Sequence, residues 1–293
     1  MEEVADVQTL RARIGDARFA GKSIGLVPTM GYLHEGHTRL LTGARAENDV
    51  VVASIFVNPT QFGPSEDLLR YPRDLERDRA IARNTGVDLL FVPDVEAMYP
   101  DGPDHQRIWV EAGGLAAHLD GASRPFHFRG VATVVAKLFN LVQPHRAYFG
   151  QKDGQQALIV QRMVRDLAFD VAIVVVPTVR DIDGLAVSSR NVYLSEEERQ
   201  QASVIPRAFA LARTLILEGH TDSREITDRM RALIEQDAPL ARIDFIEVAS
   251  TATIEPVPTI GGEAIIALAA FFGSTRLIDN LVVRFTDGTP QFA

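Results

Sequence analysis

Two histidines three residues apart, His34 and His37, bracket Gly36 in the run Val27-Pro-Thr-Met-Gly-Tyr-Leu-His-Glu-Gly-His37. An apolar stretch precedes the run and a helical pattern follows it, so a strand, a turn at Gly31 and a helix start are expected in that order. Residues three apart share a helix face, Gly36 lets a ligand reach the backbone, and free amides in a first helical turn favour anions. Phosphate is the group that such a turn suits. Two surface histidines near a turn would be unremarkable by themselves. Zinc fits less well: a metalloprotease spaces its histidines four apart around a glutamate, and closed structural sites usually recruit cysteine, of which there is none. Gly21-Lys22-Ser23 imitates a Walker loop, but its first glycine is out of register and it precedes the strand, so Lys22 reads as ordinary surface.

Four further clusters offer related chemistry. Ser54 to Phe62 closes a strand and presents Asn58 and Gln61, neutral amides suited to a polar, hydroxyl-bearing substrate, although Asn-Pro is also a common strand terminator. The Gly63 to Asp74 tract after it, rich in Pro, Gly and charge, could be a mobile cover. Pro144 to Gln156 ends a strand at Phe149 and opens a helix after Asp153. There Lys152 can hold phosphate, Gly150 permits close backbone approach, Asp153 can cap the helix or face a hydroxyl or cation, and Gln155 or Gln156 can turn inward. Leu185 to Asn191 combines Ser188 and Ser189 with the planar donor fork of Arg190, able to clamp a triphosphate from a closing loop, or else a serine-rich linker. Gly121 to Gly130 sets Arg124, His127 and Arg129 ahead of a helix, as an anion site or a charged connection.

The elements that must position these residues form a pattern. Apolar, β-branched runs at Ser23 to Val27, Val50 to Val57, Val87 to Val92, Arg107 to Val110, Ala147 to Phe149 and Val171 to Val176 alternate with helical stretches such as Val131 to Val142 and Gln155 to Leu167. The expected fold class is therefore α/β, a Rossmann-like doubly wound parallel sheet, whose ligands bind beyond the carboxyl ends of its strands. After Pro177 the chain turns polar and leads into Ser195-Glu-Glu-Glu, a helix start. Helices over Glu196 to Glu218 and Ser223 to Asp237, then strands at Ile243 to Val248, Ala264 to Ala270 and Leu277 to Arg284, predict a smaller C-terminal α+β domain. The expected division is 1–178 and 179–293.

With 293 residues and 46% apolar content, the chain can bury two such cores. Thirty basic against 39 acidic residues give a net charge of −9, which disfavours nucleic acid as a partner. No run has bilayer-spanning length and the acidic start does not read as a signal peptide, so a cytoplasmic location without a membrane partner is expected. The absence of cysteine excludes disulfides, thiolate metal sites and acyl-thioester intermediates.

Together VPTMGYLHEGH, FVNPTQF, GASRPFHFRGVATVVAKLFN, AYFGQKDGQQ, PTVRDIDGLAVSSRNVYLS and TRLIDN resemble the pantoate–β-alanine ligase family of the HxGH nucleotidylyltransferase superfamily. The likeness is dense over the first two-thirds and sparse beyond. It implies an ATP-dependent, AMP-forming ligase of pantothenate biosynthesis. The pantoate carboxylate attacks the α-phosphorus of Mg-ATP to give pantoyl adenylate and pyrophosphate, and β-alanine then displaces AMP. Charge builds on phosphate oxygens, so placed donors matter more than a protein nucleophile. The resemblance implies a catalytic set of His37, His34, Lys152 and Arg190, with His37 as proton donor. It places the phosphates on Lys152, Ser188, Ser189 and Arg190, the nucleotide along Met30, Gly31, Gly36, Gly150, Val179 and Val187, and its ribose beside Asp153. Gln61 and Gln156 would hold pantoate, Asn58 would stand near β-alanine, and Arg124 and His127 belong to the same substrate side. It further implies Mg2+ carried mainly by the ATP phosphates, a lid-forming C-terminal domain, and a homodimer through the N-terminal domain.

Three positions depart from the family pattern. Val187 replaces a usual Met, Phe126 replaces a common Gly, and Ser250 ends the Ile243 to Ser250 strand where Asp is common. Phe126 is expected to forbid left-handed backbone and so to shift Arg124 or His127. Other readings would show themselves differently. A superfamily member moving AMP to a phosphorylated cofactor precursor would not need FVNPTQF, an aminoacyl-tRNA synthetase would need a basic tRNA-binding region, and a non-catalytic module would bind ATP without releasing pyrophosphate.

Overall fold

The computed structural model describes residues 1–64 and 66–293; Ser65, within the tract expected as a mobile cover, lies outside the described residues. Packing groups the chain into two units, one of Met1–Ala112, Arg124–Gly150 and Ile159–Val176, the other of Gly113–Ser123, Gln151–Leu158 and Pro177–Ala293.

The first unit opens with β1 (Glu2–Val4), α1 (Val7–Phe19), β2 (Ile24–Thr29), α2 (Glu35–Glu47), β3 (Val50–Ile55), α3 (Leu75–Asn84), β4 (Leu89–Phe91) and α4 (Val95–Met98). The one-turn α5 (Asp120–Ser123) falls in the second unit. Next, α6 (His127–Val142) and β5 (Arg146–Gly150) belong to the first, α7 (Gly154–Asp166) spans both, and β6 (Ala172–Val176) completes the sheet. Among the described residues the strands form a parallel sheet in the order β1-β4-β3-β2-β5-β6. The order reverses between β2 and β5, so the carboxyl ends of these two strands mark the switch point at which such sheets bind ligands.

Alternate strand residues face opposite sides, and here both sides are covered. Ile24, Leu26, Val50 and Val52 join a core with Leu10 of α1 and Val131, Val135 and Leu138 of α6. Val27, Val51 and Ala53 join a second core with Leu40, Leu41 and Ala44 of α2. This double burial is why the strands read as unbroken apolar runs.

The structure corrects three expectations. Arg107 to Val110 is not a strand: the Val110 N–H donates to Thr133 Oγ1 of α6 at 3.0 Å and Ile108 is 80% exposed, so this segment is tied to a helix side chain instead of a ladder. β1 is an addition, because three residues with two exposed acids show no alternation; it exists by pairing with β4 at the sheet edge. The helix expected from Glu196 to Glu218 is two, α8 (Glu196–Ala202) and α9 (Val204–Leu217), because Pro206 has no N–H to give the Ala202 carbonyl.

The second unit continues with α10 (Ser223–Asp237), β7 (Ala241–Ser250), β8 (Glu263–Phe272), β9 (Thr275–Thr286) and β10 (Thr289–Phe292). The strands form an antiparallel sheet in the order β10-β9-β8-β7. Ile205 and Phe209 of α9 and Ile226 and Met230 of α10 share its core with Ile266, Leu268, Leu277 and Val283. This is the small α+β arrangement expected, with β10 as a further strand.

Candidate active site

In the first unit the chain leaves β2 through Gly31 and Tyr32, both at positive φ (82° and 51°), before α2 begins. Thr29 Oγ1 accepts the Gly31 N–H at 3.1 Å, and the Asp78 carboxylate accepts those of Tyr32 and Leu33 at 2.8 and 2.6 Å. Asp78 is 1% exposed, and burial pushes its carboxyl above the usual range against the lowering effect of those two donors.

His34 is the N-cap of α2. Its Nδ1 accepts the Gly36 N–H at 3.2 Å, while His37 Nδ1 accepts the His34 N–H at 3.3 Å, a reciprocal capping box made of two imidazoles. The amides of His34 and Gly36 are thus capped by the two histidines. An accepting Nδ1 carries no proton, so each neutral ring holds its N–H at Nε2, and the pair presents ring donors where amide donors were expected. Gly36 serves the ring first, since a Cβ there would lie 2.9 Å from His34 Cε1.

The loop after β3 meets this turn: Gln61 Nε2 lies 3.0 Å from Met30 Sδ, which brings together a residue expected on the substrate side and one expected on the nucleotide side. Asn58, 1% exposed, knits the loop. Its Nδ2 donates to Gln61 Oε1 and the Gly130 carbonyl, both at 3.2 Å, and its Oδ1 accepts from Tyr99 OH at 2.8 Å and Thr60 Oγ1 at 3.0 Å. Burial raises the Tyr99 phenol, which keeps it a donor. α6 presses so closely on the loop that a Cβ at Gly130 would lie 2.4 Å from the Thr60 carbonyl oxygen.

Arg124 and His127 converge on the Gln61 carbonyl, with Arg124 Nη2 at 3.3 Å and His127 Nδ1 at 2.9 Å, and Arg124 also forks onto Glu66. Burial acts to raise the Glu66 carboxyl, but the Arg124 hydrogen bond and charge outweigh it and leave the group below its usual range. Phe126 sits at φ −104°, so no left-handed backbone is demanded there and the anticipated strain does not arise; its ring lies 5.1 Å from the Arg129 guanidinium.

In the second unit Lys152 and Asp153 occupy one 3-10 turn, Gln151–Asp153, with Lys152 Nζ 3.4 Å from Asp153 Oδ1. Gln155 is 4% exposed and donates to the Leu115 and His118 carbonyls at 2.8 and 3.0 Å, so it ties down the 113–123 segment. Gln156 is the half-buried member of the pair. The Val187 N–H donates to the Val179 carbonyl at 3.0 Å, which pairs the two valines across a hairpin leading to Ser188. Ser188 Oγ accepts the Arg190 N–H at 3.3 Å and opens the turn Ser189–Tyr193, in which Ser189 is buried. At the departure Ser250, Oγ accepts the Ala252 N–H at 3.2 Å, a closure that an Asp side chain would also make.

Sequence reasoning missed Asp78, Tyr99 and the buried pair Asp279 and Asn280. Asp78 acts on amides 45 and 46 residues away from within a polar helix start, which leaves no local signal. TRLIDN stands out as a motif, but its letters alone give it no role.

Comparison with known proteins identifies the family. A family model described as pantoate-beta-alanine ligase matches residues 2–282. The chain belongs to the pantoate–β-alanine ligase family. Within that family, the pantothenate synthetases of Moorella thermoacetica and Acetivibrio thermocellus are 53% and 51% identical over 98% and 97% of this chain and all of their own length. The crystal structure of pantothenate synthetase from Thermus thermophilus is 51% identical and matches with a TM-score of 0.89, covering 96% of this chain and 99% of that one. The pantoate-beta-alanine ligase of Francisella tularensis, crystallised with beta-gamma ATP and beta-alanine, is 33% identical with a TM-score of 0.77, covering 96% of this chain and 97% of that one.

Proposed function

We propose that this chain condenses pantoate and β-alanine to pantothenate in an ATP-dependent, AMP-forming reaction. What supports the reading most directly is the turn that begins at Met30, touches Gln61 and ends in the imidazole capping box. A pantoate carboxylate oxygen attacks the α-phosphorus of ATP and the bond to pyrophosphate breaks. The β-alanine amine then attacks the acyl carbon of pantoyl adenylate, AMP departs, and the amine gives up a proton.

His34 and His37 supply Nε2–H donors to the phosphates, with His37 as proton donor in the sense that its N–H is shared in a hydrogen bond to a phosphate oxygen and not transferred, and their capped Nδ1 atoms hold the rings at one orientation. Lys152, Ser188, Ser189 and Arg190 balance charge on the phosphate oxygens. Met30, Gly31, Gly36, Gly150, Asp153, Val179 and Val187 line the nucleotide; Gln61 and Gln156 hold pantoate, with Asn58 toward β-alanine. Arg124 and His127 serve the substrate side through the Gln61 carbonyl. The functional division is 1–178 for nucleotide and pantoate and 179–293 for the clamp residues.

Mg2+ enters as an ion carried by the triphosphate. Among the described residues no three His, Asp or Glu side chains group as a metal cage, and the donors named above are N–H and cationic groups, which suit phosphate oxygens. When bound, it would neutralise phosphate charge. The reading extends to a homodimer, checked by sedimentation, and to a cytoplasmic location; no helix among the described residues is long and apolar enough to cross a membrane.

Pyrophosphate release that requires both pantoate and ATP, with pantothenate appearing only when β-alanine is added, tests the assignment. ATP binding without pyrophosphate release in the presence of pantoate would overturn it.

A further inference from the structure

Asp279 and Asn280 on β9 take no part in the reaction as proposed, yet they are only 3% and 6% exposed. Asn280 commits its side-chain amide to the Lys152 turn. Nδ2 donates to the carbonyls of Gln151 and Lys152, both at 2.9 Å, and Oδ1 accepts Gln151 Nε2 at 2.9 Å. Asp279 accepts the Arg180 guanidinium at 2.6 and 3.1 Å and the Asn280 N–H at 2.9 Å. Arg180 donates in turn to the Gly184 carbonyl at 3.1 Å and bridges to Ala186, inside the hairpin that continues into Ser188. Two adjacent residues of one strand thus hold the two segments of this unit that carry candidate phosphate donors.

The residue types fit the task. An amide can donate twice and accept once at the same time, as the Lys152 turn requires. An aspartate at position 280 would set a carboxylate against two carbonyl oxygens, and an alanine would leave both without that donor. The carboxylate of Asp279 matches the planar fork of Arg180.

We propose that Asp279 and Asn280 are positioning residues for the phosphate donors: Asn280 fixes the backbone from which Lys152 extends, and Asp279, through Arg180, fixes the hairpin that delivers Ser188 to Arg190. This rests on the ligase reading and on the roles it gives Lys152 and Arg190. A donor displaced by about 1 Å can cost on the order of 100-fold in rate.

Double-mutant cycles on the full chain test the proposal, with kcat and KM taken from pantoate-dependent pyrophosphate release and folding followed by urea unfolding. Asn280→Ala and Asn280→Asp are each expected to lower kcat by roughly 10- to 100-fold. Asp keeps the volume but cannot donate, and it carries the test should the alanine variant fail to fold. Because residues acting as one unit are non-additive, neither change should slow a Lys152→Ala chain further, and Asp279→Asn should cost an Arg190→Ala chain a smaller fraction of its rate than it costs the unaltered chain, since Ser188 and Ser189 remain on the same hairpin. A role confined to the fold predicts the opposite: the same fractional loss in both backgrounds, and that result overturns the proposal. So does near-wild-type kcat in Asn280→Asp or in Lys152→Ala. No pyrophosphate release by the unaltered chain overturns the ligase reading and this proposal with it, whereas additive cycles overturn the positioning role alone.

Discussion

The Asp78 carboxylate accepts the Leu33 N–H at 2.6 Å, so a buried acid on α3 braces the turn that carries the two histidines. Its pKa is raised above 3.8, chiefly by burial, so the unfolded chain releases this proton first as pH rises. Across the window from 3.8 up to the raised folded value the native state binds more protons, and the Asp78 contribution to stability falls with rising pH. Asp78→Asn cannot titrate. The stability of wild type minus that of Asp78→Asn should therefore decline through this window in urea unfolding measured at a series of pH values. A difference that stays flat or grows would refute the account.

Capping and chemistry can be separated at His34. Asparagine is a favoured N-cap, so His34→Asn should keep stability within about 0.5 kcal/mol while losing the ring donor. Pyrophosphate release should drop on the order of 10²-fold or more, and His37→Ala should behave likewise. Wild-type turnover in both variants would mean that the rings only cap the helix.

Gly130→Ala forces a methyl group toward the Thr60 carbonyl, 2.4 Å from the ideal Cβ position. Overpacking of this kind costs about 1–3 kcal/mol, and the displaced backbone belongs to the loop bearing Gln61. Urea unfolding should show the loss, and KM for pantoate should rise. An unchanged KM would show that α6 does not set this loop.

Glu66 binds the guanidinium that reaches the Gln61 carbonyl, in a pair with side chains only 16% and 23% exposed. Glu66→Gln weakens that hold by about 1 kcal/mol, which corresponds to roughly a fivefold rise in KM for pantoate. KM for ATP should not move. Initial-rate kinetics with each substrate varied in turn distinguish this from a general loss, in which both would rise together.

The reach of the sequence follows from where each contact is made. β2, β3 and β5 are legible because burial on both faces writes itself as unbroken apolar runs, and His34, Gln61 and Lys152 are legible because each follows such a run. Arg107 to Val110 shares the apolar pattern without a ladder partner, since its N–H goes to Thr133. The supports of the site are illegible for a different reason. Asp78 reaches back 45 residues to Leu33, and Asn280 reaches back 128 residues to Lys152, so no spacing rule connects either residue with what it holds.

The second unit is drawn from three separate stretches of chain, and two of them, Gly113–Ser123 and Gln151–Leu158, are synthesised well before β9. During translation Gln155 can find the Leu115 and His118 carbonyls early, whereas the tether on the Lys152 turn waits for Asn280 to emerge. Domains generally fold as units once their chain is available. On the ribosome, the histidine turn can therefore be finished while the lysine turn still lacks its anchor, and a nascent chain halted before β9 would hold one half of its phosphate chemistry in place without the other.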